Sequence, residues 1–404
     1  MLNSIKIFIS ELLHIAFYWF ACIIPKQKIK WSIGAWYGKT YNDNPKYIFE
    51  YVSTHEKQID IAWITKEKKV RDFVRSKGYK AYLTYEPHGI YHMLTSHVAL
   101  FCQTKQHDLS GSCIGPSTKL IQLWHGFSFK KYLGTNPIRM PLDREVPLLI
   151  NNILLFIASV LFNKKFISLN DLPYRNEYWE SYHLICAKSP RHKQKFLDII
   201  PTLDPSKIIV GEYPRSDAFF NSSFTSPFIE KIKALKSAGA IVGIFMPTFR
   251  SRGRSVPEVF LPGVEEFALY CKSHDIHMFM RLHRNDVSLF KESPFHIISD
   301  TDIDWDIYPV LPNTDFLLTD YSSIYSDYPL LNKPIIFTPF DKDEYINFRG
   351  LYSEYDSVTK GKCAKNWGEV IHLLNTQVVN SESKSTHSPT SHTKNMVQII
   401  LISL

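Results

Sequence analysis

Residues 315–337 read DFLLTDYSSIYSDYPLLNKPIIF. An apolar run of strand length, Phe316-Leu317-Leu318, breaks at Thr319-Asp320-Tyr321-Ser322-Ser323. Apolar residues then return at helical spacing, and a second short apolar run follows Pro334. A strand, a polar turn, a helix and another strand make the repeating unit of a parallel sheet, since parallel neighbours need a crossover connection. The turn gathers four hydroxyls and one carboxylate. Ser322 or Ser323 alone is an ordinary helix N-cap. The junction also lies where open parallel sheets bind ligands, beyond the carboxyl ends of their strands.

The same pattern extends in both directions. Strand-like runs occupy residues 59–65, 80–85, 97–102, 119–124, 182–187 and 207–210, then 240–247, 276–283, 295–300, 316–318 and 334–339. Helical patterns separate many of them, which predicts an α/β fold of parallel sheets covered on both faces. The count exceeds one compact sheet. Two doubly wound, Rossmann-like domains are expected, an N-terminal one over 31–224 and a C-terminal one over 225–379. The linker-like NSSFTSP at 221–227 marks the join. Residues 380–404 read as a Ser/Thr-rich, disordered tail, most clearly over 380–395, with the apolar residues 396–404 left to dock on a domain or on lipid.

The 404 residues are 45% hydrophobic and carry a net charge of +8. That excludes a disordered chain and favours an anionic partner such as a nucleotide, a phosphate polymer or a lipid headgroup surface. Six scattered cysteines form no C-x-x-C pair, so neither a zinc site nor a disulfide framework is signalled. Residues 1–30 read as an amphipathic, membrane-associating segment. Ile5, Phe8, Ile9, Leu12, Leu13, Ala16, Phe17 and Phe20 share a helical face, Glu11 and His14 interrupt any spanning run, and Lys26, Lys28 and Lys30 follow. A second apolar run, 146–162, is flanked by Arg144 and by Lys164 and Lys165, and reads as core or as a further lipid-facing surface.

Strand ends carry the candidate chemistry. In the C-terminal domain they present Thr248 and Arg250, then His283 and Arg284, then Thr319, Asp320, Ser322 and Ser323. A guanidinium, an imidazole and a helix start suit a pyrophosphate. In the N-terminal domain one strand runs into His125-Gly126, with a helix bearing Lys130 and Lys131 expected next. A neutral imidazole there suits proton abstraction from a hydroxyl. P-loop and G-x-G-x-x-G sequences are absent. The acidic DTDIDWD at 300–306 lacks the glycine and final glutamate of a calcium loop and reads as solvated. No metal and no cofactor is expected.

The motifs QLWHGFSFKKYLG, GEYPRSD, MPTFR, RLH, DFLLTDYSSIYSDYPLLNKPIIF and DKDEYINFRGLY, in that order over residues 42–352, resemble the series of the CDP-glycerol:poly(glycerophosphate) glycerophosphotransferases of teichoic acid and capsule-type polymer synthesis. The resemblance implies a GT-B arrangement with the active site in an interdomain cleft. It implies transfer of glycerol phosphate from CDP-glycerol to a terminal hydroxyl of a lipid-linked or phosphopolymer acceptor, with release of CMP. It also implies peripheral attachment to the cytoplasmic membrane face, and no nucleic-acid partner. Carried over by position, His125 would be the general base. His283 and Arg250 would hold the donor pyrophosphate, Ser322 and Ser323 would donate to its oxygens, and Thr319 and Asp320 would shape the loop. Gly126, Arg215 and Asp217 would give support. Arg284 stands where the family usually has proline. Competing readings are a CDP-ribitol phosphotransferase, a nucleotide-sugar glycosyltransferase of the same fold, and a non-catalytic membrane-bound scaffold for anionic polymer.

Overall fold

Apolar runs without polar alternation become strands buried on both faces, and both sheets of this chain are built from them. The computed structural model describes residues 2–131, 138–139, 146–250, 256–282, 295–352, 354–378 and 391–404. They divide into one unit of Met1–His125, Leu133–Arg215 and Ser391–Leu404, and another of Gly126–Tyr132 and Ser216–Thr390.

The first unit contains β1 (Gln27–Ile33), β2 (Asp60–Thr65), β3 (Ala81–Leu83), β4 (Ser96–Phe101), β5 (Lys119–Gln122), an antiparallel pair β6 (Ile138–Arg139) and β7 (Asn176–Glu177), then β8 (Leu184–Ala187) and β9 (Ile208–Val210). Its main sheet is parallel throughout, in the order β3-β2-β1-β4-β5-β8-β9. The order reverses direction between β1 and β4, the switch-point geometry of a doubly wound sheet. The interior strand β1 was not expected. Residues 27–33 carry Lys28 and Lys30, which read as the basic flank of a membrane segment ending at residue 30. Instead Lys30 is buried, its ammonium donating to Thr95 Oγ1 (3.1 Å) and lying 4.6 Å from the centre of the Tyr91 ring.

Helix Leu2–Ile23 precedes β1 and packs against helix Leu148–Phe162. Ile15, Tyr18, Leu154 and Ala158 form the buried seam. The C-terminal segment corrects the expectation of a disordered tail over 380–404. Residues 379–390 lie outside the described residues, but His392–Ser403 is a helix, N-capped by Ser391, with Met396, Val397 and Ile400 buried. Its apolar stripe finds the first unit, where Met396 meets Cys186 of β8 at 3.4 Å.

The second unit has a five-stranded parallel sheet of β10 (Ile241–Met246), β11 (Ile276–Met280), β12 (His296–Ile297), β13 (Phe316–Thr319) and β14 (Ile335–Phe337), ordered β12-β11-β10-β13-β14. The central strand carries Gly243 because no side chain fits. A Cβ there would lie 2.3 Å from the Phe316 ring and 2.4 Å from Met278 Sδ. Phe245, Phe260, Phe267 and Trp367 fill one face, and the Trp367 indole donates to the Phe260 carbonyl (2.9 Å). Pairing of Met246 with Thr319 sets β10 and β13 level at their carboxyl ends. Their following turns are therefore neighbours, as a strand-end site requires.

The helix expected after Ser322 is two 3₁₀ turns, Ser323–Ser326 and Tyr328–Leu331. Pro329 cannot donate to a helix ladder, and buried Asp327 accepts from the Tyr308 hydroxyl (2.6 Å), which holds the bend. Residues 126–131 also differ from expectation. Lys130 lies in an antiparallel bridge to Leu351, not on a helix, and the Tyr352 N–H donates to the Phe129 carbonyl (2.9 Å). Phe129 is buried against Tyr325, the rings stacked at 3.7 Å.

Candidate active site

In the first unit the turn after β5 passes through two left-handed positions, Trp124 (φ 57°) and Gly126 (φ 137°). Such a φ is costly for tryptophan, and neighbouring groups hold it in place. The Trp124 N–H donates to Gln122 Oε1 (2.9 Å), and the Asn44 amide donates to the carbonyls of Leu123 and Trp124 (3.1 Å each). The turn presents His125 with Nδ1 2.8 Å from the Cys102 carbonyl. A carbonyl only accepts, so Nδ1 carries a hydrogen, and the tautomer this selects in a neutral ring has its lone pair on Nε2. Trp124 stacks on the imidazole (5.0 Å) and Trp36 meets it edge-on (5.4 Å).

A second layer fixes this turn. Buried Arg215 donates to Asp43 Oδ1 (2.7 Å) and to the His125 carbonyl (3.0 Å), and the Trp36 indole donates to the other Asp43 oxygen (2.7 Å). Buried Asp108 accepts from the N–H groups of Tyr37, Cys102 and Gln103 (2.8–2.9 Å), which anchors the loop that offers the Cys102 carbonyl. Burial pushes the Asp108 carboxyl up to about 7, with the three backbone donors pulling the other way. Asp43 and Asn44 escaped the sequence reading. An N-D-N-P run reads as a helix start, and only the fold brings it under His125.

In the second unit Thr248 and Arg250 follow β10, and Asp320 follows β13. All three are buried. Arg250 Nε and Nη2 donate to the two oxygens of Asp341 (2.8 Å each), while Nη1 donates to Asp320 Oδ2 (2.8 Å) and to the Thr248 carbonyl. Asp320 also accepts from the Thr248 N–H (2.8 Å) and the Tyr321 N–H (2.5 Å). Burial works against the charge of Arg250, but Asp320 and Asp341 outweigh it and hold the guanidinium charged far above its usual range. The Thr319 hydroxyl donates to the Met246 carbonyl (2.8 Å). These groups spend their bonds on one another and stitch two strand ends together. Four of the five guanidinium N–H donors of Arg250 are thereby bound within the fold.

Other groups here keep unused bonds. Among the described residues, the hydroxyls of Ser322 and Ser323 make no hydrogen bond, and both residues are partly exposed. Among the described residues, the buried Thr248 hydroxyl likewise has no hydrogen-bond partner. His283 and Arg284 lie outside the described residues. Gly126 supplies the left-handed turn beside His125. Asp217 lies in the 3₁₀ turn Pro214–Phe219, its backbone carbonyl accepting from the Phe220 N–H (3.2 Å). No group of three His, Cys, Asp or Glu side chains gathers among the described residues. Of the acidic 300–306 stretch, Asp300 pairs with Arg281 and Asp302 accepts from Ser299.

Comparison with known proteins agrees with this architecture. A family model described as CDP-glycerol:poly(glycerophosphate) glycerophosphotransferase matches residues 18–398. The teichoic acid ribitol-phosphate polymerase TarK of Staphylococcus aureus is 25% identical over 272 residues, 65% of this chain and 47% of that protein. The chain thus spans about half the length of that relative. The teichoic acid glycerol-phosphate transferase of the same organism is 23% identical over 388 residues, 92% of this chain and 89% of that one. Among solved structures, the wall teichoic acid polymerase TagF superposes with a TM-score of 0.63 at 16% identity, covering 100% of this chain and 98% of that one. The shared feature is the GT-B-like α/β fold.

Proposed function

Because the chain belongs to the CDP-glycerol:poly(glycerophosphate) glycerophosphotransferase family, we propose that it transfers glycerol phosphate from CDP-glycerol to the terminal hydroxyl of a lipid-linked or phosphopolymer acceptor. The acceptor O–H gives its proton to His125 Nε2. The oxygen attacks the donor β-phosphorus in line, the bond from that phosphorus to the bridging oxygen breaks, and CMP leaves with the electron pair. Hydrogen-bond donors and cations at the donor site stabilise the charge that develops on the phosphates and on departing CMP, as in other phosphoryl transfers. One observation carries this reading: the Cys102 carbonyl fixes the His125 tautomer that leaves Nε2 able to accept a proton.

The acceptor is met at the cytoplasmic membrane face. Support comes from an exposed apolar surface on the paired helices of the first unit, formed by Ile5, Ile9 and Leu13 on one and Leu149, Phe156 and Val160 on the other. Lys6, Lys164 and Lys165 are exposed nearby in sequence, as an anionic leaflet favours. Helix Ser4–Ile23 is long and apolar enough to span a bilayer by length and composition. Its buried Glu11, bound by Arg175 (2.5 Å) and Tyr174 (3.3 Å), ties it to the first unit and supports an in-plane position.

A second reading has a specific motive. TarK, named a ribitol-phosphate polymerase, matches at an identity similar to that of the glycerol-phosphate transferase, so a CDP-ribitol donor is the competitor. Purified protein with a lipid-linked primer is offered CDP-glycerol, CDP-ribitol and UDP-sugars in turn. CMP release with CDP-glycerol alone is the expected result. CMP release with CDP-ribitol alone assigns the second donor, and polymer binding without CMP release from any donor leaves only a scaffold.

A further inference from the structure

Within the first unit, one peptide group joins the imidazole of His125 to the carboxylate of Asp108. His125 Nδ1 donates to the Cys102 carbonyl (2.8 Å). The other end of that same peptide is the Gln103 N–H, which donates to Asp108 Oδ2 (2.8 Å). In a trans peptide the C=O and N–H point in opposite directions, so the positive end of its dipole lies on the carboxylate and the negative end on the imidazole. The Cys102 N–H reaches the same carboxylate oxygen (2.9 Å), and the Tyr37 N–H reaches Oδ1 (2.8 Å). Three backbone donors thus converge on a fully buried side chain.

Anchoring a loop does not call for a charge. Asparagine and serine side chains hold backbone N–H groups in turns without the desolvation cost of a buried carboxylate. Among the described residues Asp108 forms no ion pair. Lys66, which lies in its field, gives its ammonium to the carbonyls of Gln106 (3.3 Å) and His107 (2.8 Å). The negative charge therefore acts along the hydrogen bonds that it accepts. Inside a protein each bond of such a chain polarises the next, and this chain ends on the ring of His125.

We propose that Asp108 sets the basicity of His125 through the Cys102–Gln103 peptide. The carboxylate draws on the Gln103 N–H, the Cys102 carbonyl becomes a stronger acceptor, and the imidazolium that forms when Nε2 takes a proton is stabilised. One proton moves, from the acceptor hydroxyl to Nε2, while the peptide and Nδ1 keep theirs. Asp108 touches no reacting atom and is a positioning residue. This deepens the transfer reading and rests on it, because that reading makes His125 the base.

Other ionisable groups face both ends of the chain. Around Asp108 are Lys66, Tyr37, Cys102 and Tyr182, and burial pushes the two phenols and the thiol up, so that these three stay neutral. Around His125 are Arg215, paired with Asp43 (2.7 Å), and His192, which burial pushes down to about 3 and keeps neutral. Burial pushes the Asp108 carboxyl itself up to about 7. Its charge is therefore complete well above that pH and fades below it, and its hold on His125 fades with it.

The test compares the full-length wild type with Asp108→Asn, which keeps the outline of the side chain and removes its charge. CMP release from CDP-glycerol is followed across pH, and the His125 ring is titrated by NMR, its signal being the one missing from His125→Ala. In Asp108→Asn the His125 midpoint and the acid limb of kcat/KM should both move to lower pH by roughly one unit, the effect of losing a nearby opposite charge. On the alkaline plateau kcat should fall up to roughly 10-fold with the donor KM unchanged, as a weaker base gives. A kcat loss with both midpoints unmoved makes Asp108 a loop anchor only and overturns the proposal. Should Asp108→Asn fail to fold, the reciprocal effect decides. The Asp108 carboxyl carbon should register the protonation of His125 in the wild type and lose that inflection in His125→Ala. A carboxyl signal indifferent to His125 overturns the proposal as well. A shifted His125 midpoint in a protein that releases no CMP from any donor sinks the transfer reading alone. CMP release with an unshifted midpoint sinks the Asp108 assignment alone.

Discussion

The His125 turn and the Arg250 lattice sit at corresponding places in their sheets, each just past the carboxyl ends of parallel strands, yet they are built on opposite principles. Around His125, Asn44, Arg215 and Asp43 bond to backbone carbonyls, to the Trp36 indole and to one another, and the Cys102 carbonyl fixes the imidazole's Nδ1 hydrogen. Around Arg250 the guanidinium and the carboxylates of Asp320 and Asp341 neutralise one another, and among the described residues the hydroxyls of Thr248, Ser322 and Ser323 make no hydrogen bond. A residue's chemical type does not assign its role. What decides is whether its bonds are already used inside the fold.

Substitutions that leave a spent group's partners behind break this contrast most severely. Arg250→Met strands Asp320 and Asp341 as buried carboxylates without their shared cation. Removing one member of a buried pair typically costs about 3–5 kcal/mol, so a drop of that size in denaturant stability is expected. Arg250→Lys should recover little, because one ammonium cannot grip both Asp341 oxygens and also reach Asp320. Normal stability in Arg250→Met would make the guanidinium a ligand group after all. His125→Ala should behave in the opposite way. Its fold should persist and CDP should still bind, while turnover falls on the order of 10²–10³-fold, the usual loss for a group acting on the transition state. Parallel loss of binding and turnover would move His125 to the donor side.

Smaller effects sharpen the first half of the comparison. Asn44→Ala frees the carbonyls of Leu123 and Trp124 inside the fold, where a lost partner costs roughly 1–3 kcal/mol. Misaimed imidazole should appear as a kcat loss of about 10-fold with the donor KM unchanged. A change in KM alone would show that this amide supports donor binding and not the tautomer of His125.

Strand after strand is legible in the chain because apolar runs leave few alternatives, and the strand-end rule points to Thr248, Arg250, Thr319 and Asp320 as candidates. The pairing of β10 with β13 makes the turns that carry them neighbours. Three things were not legible. β1 was hidden because its two lysines read as surface, although one of them is buried on a hydroxyl and a phenol ring. The pairing of Arg250 was hidden because Asp341, which takes two of its hydrogen bonds, lies 91 residues further on. The bridge of Lys130 to Leu351 was hidden because its strand partner lies far along the chain, where a helix was expected to follow His125.

The rule about spent and unspent bonds also separates the two faces of the N-terminal helix. Glu11 on the inner face is satisfied by Arg175 and Tyr174, whereas Ile5, Ile9 and Leu13 on the outer face remain exposed, as do Leu149 and Phe156 of the packed helix. If lipid covers the outer face, Phe156→Ser should weaken binding to vesicles containing phosphatidylglycerol. Full burial of such a side chain contributes about 1.5–3 kcal/mol, and partial insertion should give a loss of roughly 10-fold. Reversing Lys164 and Lys165 to Glu should cost a further ~1 kcal/mol for each lysine charge lost and remove the salt dependence. Turnover of a water-soluble acceptor should be untouched by Phe156→Ser, because the His125 turn lies on other elements. Vesicle binding that ignores Phe156 but follows the lysines would make the contact electrostatic only, with the apolar face serving another purpose.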